Sequence, residues 1–431
     1  MRTLVVGAGV SGRAAAALAA ELGDEVLVFD RSREAVADLA SLYPTATGGW
    51  SADLLSRAER VVVSPGVPEH APEVRDALVE GIPVISEVEL AASVADAPIV
   101  AVTGTNGKTT VTGLITEMLI AAGHKAVATG NIGTAFAEVA GGPWEVFVVE
   151  VSSFQLRFTS RFHPRVAVLL NIAEDHLDWH GTLQAYSAAK SKIFQNQDAN
   201  DLLIYDVDDP GARAAVAGAP SQLLPVSGIR RPEGGSGPVG DKLVTPAGAL
   251  PLGKVSDPSF IVDLAAAAAA AGWFETGPEP LAAVVSAFEP GPHRRTRVGS
   301  WGGVDWIDDS KATNPHAALA AVAAYPSVVL IAGGRNKGLD LSPLVHAPTV
   351  KHVVAIGEAS ESLIAAGGPE RVSDAGSMAA AVAVASSLAK AGDTVLLAPG
   401  CASFDMFRSY AARGDAFTEA ARALHQQEPA S

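Results

Sequence analysis

Cysteine is almost absent: Cys401 stands alone in 431 residues. One thiol excludes any intrachain disulfide framework and suits a reducing, cytoplasmic compartment. Basic residues are outnumbered, 31 Lys and Arg against 47 Asp and Glu, for a net charge of −16. That deficit argues against nucleic acid as a partner, which calls for a broad positive footprint. It leaves room for a small anion held by a local nest of backbone amides. Long apolar runs are missing as well. The most apolar tract, Leu264 to Ala271, is too short to cross a bilayer and is mostly alanine. It reads as a buried helix packed closely through small side chains, so no membrane partner is expected. No segment recurs at solenoid periods. Met1 to Gly7 runs straight into a strand, which reads as no signal peptide.

What the chain does have is size and alternation. Its length suggests about three domains, and 48% hydrophobic residues can fill several cores. The organising stretch is Pro98 to Thr110. A β-branched apolar run stops at Gly104; after Thr105 and Asn106, Gly107-Lys108-Thr109-Thr110 opens a segment of helical period, Val111 to Ala121. Strand, tight loop and helix N-terminus in that order form a phosphate seat, because the loop amides and the positive end of the helix dipole converge there. Lys108 is placed to reach the outer phosphates and the Thr109 hydroxyl to reach Mg²⁺. The loop is shorter than the usual P-loop, since Val102 stands where the first glycine belongs.

Residues 1–91 alternate strand and helix signals. Strand Thr3–Val6 leads into Gly7, Gly9 and Gly12, an Ala-rich helix spans 13–22, and strand Glu25–Phe29 ends in Asp30. A G-x-G-x-x-G turn with an acid some ~20 residues on is a dinucleotide fingerprint. Alone it is weak, since many doubly wound domains carry such a turn without a dinucleotide. Strand Arg60–Val63 ends in Ser64-Pro65-Gly66. Residues 92–290 carry the phosphate loop, then Gly130-Asn131-Ile132-Gly133, a strand ending in Glu150, and a strand ending in Asn171 to Asp178. Parallel βαβ strands finish on one side of a sheet. Glu150, Asn171 and His176 are therefore expected around the loop. Glu150 suits Mg²⁺, a hard cation; His176 taken alone reads better as a helix cap or a partner for a backbone carbonyl. The Gly- and Pro-rich stretch 217–259 reads as a hairpin, 242–244 against 250–252. Residues 291–431 are again α/β, with a hairpin turning at Gly302-Gly303. Polar clusters follow its strands: Asp308 to Pro315, Gly333 to Gly338, and Pro399 to Asp405.

Six of these motifs, in register along the whole chain, resemble the Mur ligase family, the ATP-dependent amide-forming enzymes of peptidoglycan precursor assembly. They are Gly104 to Thr110, Gly130 to Gly133, Glu150 to Leu156, Asn171 to Asp178, Asp309 to Asn314, and Cys401 to Asp405. The resemblance implies an α/β fold in three domains: a Rossmann-like UDP-sugar domain (1–91), a central P-loop ATPase-type domain (92–290) and a Rossmann-like amino-acid domain (291–431). It implies ATP and Mg²⁺ as cofactors, UDP-N-acetylmuramoyl-L-alanine and D-glutamate as partners, and reaction through an acyl phosphate. In catalysis it implies Lys108, Glu150, His176, Lys190, Arg294 and Lys311. ATP is to be met by Gly104 to Thr110, Asp263, Arg294 and Asp309. The UDP-sugar falls to Val10, Ser11, Asp30, Arg31, Ser64, Asn131 and His176, and D-glutamate to Thr313, Lys337, Ser403 and Tyr410. Thr109 and Glu150 match one Mg²⁺ and His176 with Lys190 a second, with Lys190 carbamylated. The glycine turn at Gly7 thereby becomes a uridine site.

Two positions depart from the family's pattern. Ser259-Phe260 replaces a His-Asn pair at adenine, and Tyr410 replaces a common phenylalanine. A sister amide ligase with another amino acid or folate, a P-loop ATPase that is no ligase, and a nicotinamide dehydrogenase are the alternatives. Three domains joined by Pro- and Gly-rich linkers suggest a monomer whose outer domains move.

Overall fold

A computed structural model describes residues 1–426. Three sheets of mainly parallel strands follow one another along the chain. The first orders β3 (Thr45–Thr47), β2 (Glu25–Asp30), β1 (Arg2–Val6), β4 (Arg60–Val63) and β5 (Val84–Ser86) side by side. The second orders β11 (Gln222–Val226), β10 (Leu202–Asp206), β9 (Val166–Leu169), β6 (Ile99–Thr103), β8 (Val146–Glu150) and β7 (Ala126–Gly130), every pair parallel. A small antiparallel sheet of β12 (Gly237–Val239), β13 (Lys242–Thr245) and β14 (Gly248–Pro251) follows. The last sheet orders β15 (Thr296–Trp301), β16 (Val304–Asp308), β20 (Thr394–Leu397), β17 (Val328–Gly333), β18 (Val350–Ile356) and β19 (Val372–Asp374), with only β15 antiparallel. Strands buried on both faces need continuous apolar runs, and β6, β8 and β9 are buried at every residue. Each Val or Leu hidden there contributes about 1.5–3 kcal/mol.

The chain forms two compact units. Met1–Ile172 with Trp179–Ala287 make one; Ala173–Asp178 with the chain from Phe288 onward make the other. Within the first unit the 1–91 segment keeps its own sheet but shares a core with the central sheet. Ala15, Phe136, Phe147 and Leu169 belong to one buried cluster, and the Val10–Glu21 helix packs on the Phe136–Val139 helix.

The Ala-rich tract behaves as expected. Leu264 to Ala271 are all buried, in a Pro258–Gly272 helix packed against the Lys108–Ala121 helix. Three local expectations are corrected. The first helix starts at Val10 instead of residue 13, because Gly9 is extended and serves as its N-cap. Gly12 is then inside the helix, where a Cβ would sit 1.7 Å from the Gly7 carbonyl oxygen. The helix after the phosphate loop starts at Lys108 itself, since Gly107 at φ +87° turns the chain. The hairpin at 242–252 gains a third strand, β12, whose Gly-Pro-Val offers no alternation to read.

Candidate active site

The expected site residues fall into two groups, one in each unit. In the first unit, β6 delivers the chain into the phosphate loop at the point where the sheet has strands on both sides. Among the described residues no side chain caps the Lys108–Ala121 helix, so its first amides are left for an anion seat. Asn171, at the end of β9, fixes the loop from below. Its Oδ1 accepts from Asn106 N at 2.7 Å and its carbonyl oxygen from Thr105 N at 2.9 Å. Asp263 lies against the loop's far side, where a Cβ on Gly107 would come within 2.7 Å of its Oδ1. Lys108 Nζ donates to the carbonyl oxygens of Gly104 and Thr105 at 2.8 and 3.0 Å.

Glu150 joins three motifs. Its buried carboxylate accepts from Thr109 Oγ1 at 2.9 Å through Oε2 and from Asn131 Nδ2 at 2.8 Å through Oε1. Lys190 is fully buried. Its Nζ donates to the Gly104 carbonyl at 2.7 Å and lies 4.6 Å from the Tyr186 ring centroid. A lysine so placed acts as a cation toward the loop, and only a modified amine would ligate Mg²⁺. Among the described residues no three His, Cys, Asp or Glu side chains cluster to hold a metal. The oxygen pair Thr109 and Glu150 fits Mg²⁺, which needs only one or two protein ligands beside substrate phosphates.

The glycine turn builds a second pocket. Gly7 takes φ +94°, and Ser64 Oγ donates to its carbonyl oxygen at 2.9 Å. Asp30 is committed to local structure: its carboxylate accepts from Ala8 N and Ser32 N, each at 2.8 Å. Beside them a cavity of about 410 Å³ is lined by Gly7, Asp30, Arg31, Gly66, Val67 and Glu73 among others. Val10 and Ser11 begin the adjacent helix and do not line it. Glu73, which gave no signal in the sequence, is buried and pairs with Arg31 Nη2 at 2.9 Å.

The second unit collects the rest. Lys337 Nζ meets Asp175 Oδ1 at 2.8 Å, and Asn314 Nδ2 lies 3.5 Å from Asp175 Oδ2. Asp175 is buried; burial pushes its carboxyl up, but the charges of His176 and Lys337 and their hydrogen bonds prevail and hold it below the usual carboxylate range. Asp175 is the main residue that the sequence reading missed, although it lies inside the Asn171 to Asp178 motif. His176, expected beside the phosphate loop, belongs to this second unit and takes φ +54°, with its backbone N–H donated to Asp175 Oδ1 at 2.9 Å.

Lys311 Nζ lies 5.4 Å from the centroid of the Tyr410 ring. Arg294 and Thr313 are half-buried on the segments flanking β15 and β16. Asp309 is buried, and burial pushes its carboxyl up to about 6 against the pull of Arg295 and Arg294. Ser403 is buried next to Cys401, where the loops after β16, β17 and β20 meet on Arg413. That guanidinium, also unforeseen, donates to Ser310 Oγ, the Ser310 carbonyl and the Cys401 carbonyl at 3.0, 2.9 and 3.0 Å.

A phosphate loop beside a buried carboxylate, at the strand ends of a parallel sheet, defines a nucleotide-binding protein of α/β build. Comparison with known proteins narrows the class. Residues 1–86 match the Mur ligase MurD-like N-terminal domain, 102–228 the Mur ligase middle domain, and 293–401 the Mur ligase glutamate ligase domain. The UDP-N-acetylmuramoylalanine–D-glutamate ligase of Frankia casuarinae is 43% identical over 97% of this chain and 93% of its own. Its counterpart in Thermobifida fusca is 40% identical over 98% of both chains. Among solved structures, MurF from Acinetobacter baumannii shares the fold at TM-score 0.61 and 18% identity, covering 92% of this chain and 91% of its own. A pseudomurein peptide ligase from Methanothermus fervidus does so at 0.61 and 17%, over 99% and 100%. The chain belongs to the Mur ligase family.

Proposed function

We propose that this chain joins D-glutamate to UDP-N-acetylmuramoyl-L-alanine at the expense of ATP, in the cytoplasm, as a monomer. The observation that carries the substrate pair is the full-length likeness to relatives bearing that activity in their names. The sites are compatible with it. The carboxylate of the sugar-linked alanine attacks the γ-phosphorus of ATP and ADP leaves, giving an acyl phosphate. The amine of D-glutamate then attacks the acyl carbon, loses a proton, and inorganic phosphate departs as the amide forms.

Such a reaction needs positioning and charge stabilisation more than a protein nucleophile. The loop amides and Lys108 take the phosphates, with Arg294, Asp309 and Asp263 toward the nucleotide. Mg²⁺ held by Thr109 and Glu150 would supply charge neutralisation at the phosphate oxygens; His176 and a carbamylated Lys190 would serve a second ion. The cavity at Asp30 and Arg31 takes the uridine end, with Val10 and Ser11 on the adjacent helix, Ser64 holding the Gly7 turn, and Asn131 toward the sugar. Lys311 serves the reacting phosphate. Lys337 with Thr313, Ser403 and Tyr410 receives the two carboxylates of D-glutamate, for which a lysine and hydroxyls are suitable partners.

The test is ADP release with a panel of acceptors. Release should require UDP-N-acetylmuramoyl-L-alanine and D-glutamate together. Equal release with L-glutamate, or release without any acceptor, would overturn the assignment.

A further inference from the structure

The segment joining the first sheet to the central one is a short helix, Glu87–Ala92, that buries two carboxylates. Buried acids are costly unless they are hydrogen-bonded, so where these two point is informative. Glu89 accepts from Ser160 N, Ser160 Oγ, Arg161 N and Phe162 N at 2.8–3.1 Å. Four donors on one carboxylate make a rivet, and its role is complete.

Glu87 is different. It is 1% exposed, Oε1 accepts from Ala137 N at 2.6 Å, and Oε2 is shielded with no hydrogen-bond partner among the described residues. Ala137 is the second residue of the Phe136–Val139 helix, whose own N-cap, Ala135, offers no side-chain bond. Glu87 therefore caps that helix from another part of the chain. Immediately before the helix lies the Asn131 loop. Thr134 O receives Thr129 Oγ1 at 2.7 Å and Gly130 N at 3.2 Å, and Asn131 reaches back to Glu150, which in turn holds Thr109. One continuous path thus runs from Glu87 through the helix start and the loop to the Glu150 carboxylate.

We propose that Glu87 is a positioning residue that sets the Asn131 loop for the UDP-sugar substrate and so couples docking of the first sheet to assembly of the site. The inference rests on the substrate assignment made above. Burial pushes the Glu87 carboxyl up to about 7, with Glu138 adding to the rise and the amides of Ala137 and Phe136 opposing it. A residue present only to fill space would avoid that desolvation cost, since an apolar side chain of like volume would pack without it.

The experiment compares steady-state constants of the full chain and of Glu87→Gln, Glu87→Asp and Glu87→Ala for three substrates: UDP-N-acetylmuramoyl-L-alanine, ATP and D-glutamate. Gln keeps the accepting oxygen at the same reach; Asp withdraws it by one methylene; Ala removes it. Loss of a helix cap is worth about tenfold in an equilibrium. Glu87→Ala and Glu87→Asp should raise KM for the UDP-sugar about tenfold, with the other two KM values within twofold, and Glu87→Gln should restore it. Should the Ala variant fail to fold, the Asp and Gln pair decides. Equal changes in all three constants, no change in any, or no rescue by Gln would overturn the proposal. If the full chain itself turns over none of these substrates, the substrate assignment fails instead.

Discussion

Lys108 and Lys190 converge on one oxygen: their Nζ atoms donate to the Gly104 carbonyl at 2.8 and 2.7 Å. They come from different elements, the first from the phosphate loop and the second from the Leu183–Ser191 helix. Two ammonium groups on one acceptor repel by a few kcal/mol at an effective dielectric of about 20. An anion relieves that repulsion. The triphosphate of the proposed reaction would do so from outside; carbamylation would do so from within, where the Lys190 ammonium gives up one proton, the free amine bonds CO₂, a second proton leaves and a carboxylate-like group forms beside Lys108.

Lys190→Ala should therefore lose about a hundred- to a thousandfold in turnover, the scale of removing one charge-stabilising group in a buried site. Alanine leaves no amine for CO₂, so bicarbonate cannot restore it; a small carboxylate such as acetate, able to enter the vacated space, should restore a measurable fraction. The unmodified enzyme should lose activity when CO₂ is stripped and regain it on bicarbonate addition. Turnover indifferent both to the substitution and to CO₂ would remove Lys190 from the chemistry.

How much of this was legible in the sequence follows from the range of the forces involved. The phosphate loop and its strand and helix were readable because apolar period and glycine position are local signals. The buried alanine helix was readable for the same reason. Asp175 lies inside a legible motif but shows no role there, because its partner Lys337 is 162 residues away. Glu73 and Arg413 gave no local sign at all, since burial of a lone charge depends on which loops meet around it. His176 was expected among the phosphate-loop residues on strand polarity alone; its short segment, Ala173–Asp178, groups with the second unit. The helix starts missed by three residues were decided by Gly9 and Gly107, whose backbone angles do not show in periodicity.

The Lys337–Asp175 pair is mostly buried, with the side chains 23% and 8% exposed. Removing one partner of such a pair leaves the other charge poorly solvated. Asp175→Asn and Lys337→Met should each lower unfolding stability by about 1–3 kcal/mol, and the double variant should lose less than the sum, with a coupling of about 1 kcal/mol or more. Chemical denaturation of the four proteins measures it. Additive losses would mean that the contact contributes nothing to the fold. Both single variants should also lose D-glutamate turnover, because Lys337 is assigned to that substrate and Asp175 fixes where it stands.

Asp309 links stability to pH with a sign that can be checked. Its folded carboxyl is raised to about 6, mainly by burial, whereas an exposed aspartate titrates near 3.9. Between roughly pH 4 and pH 6 the folded chain thus holds a proton that the unfolded chain has released. Stability contributed by this group is fully present below that window, declines by up to about 1.4 kcal/mol per pH unit as pH rises through it, and is constant above. Asp309→Asn has no proton to exchange. The variant should therefore lack this decline, and its stability relative to the native chain should increase from pH 4.5 to pH 6.5 in paired denaturation curves. A difference that stays flat or reverses sign across those pH values would mean that Asp309 is ionised in the folded chain throughout, with Arg295 and Arg294 outweighing its burial.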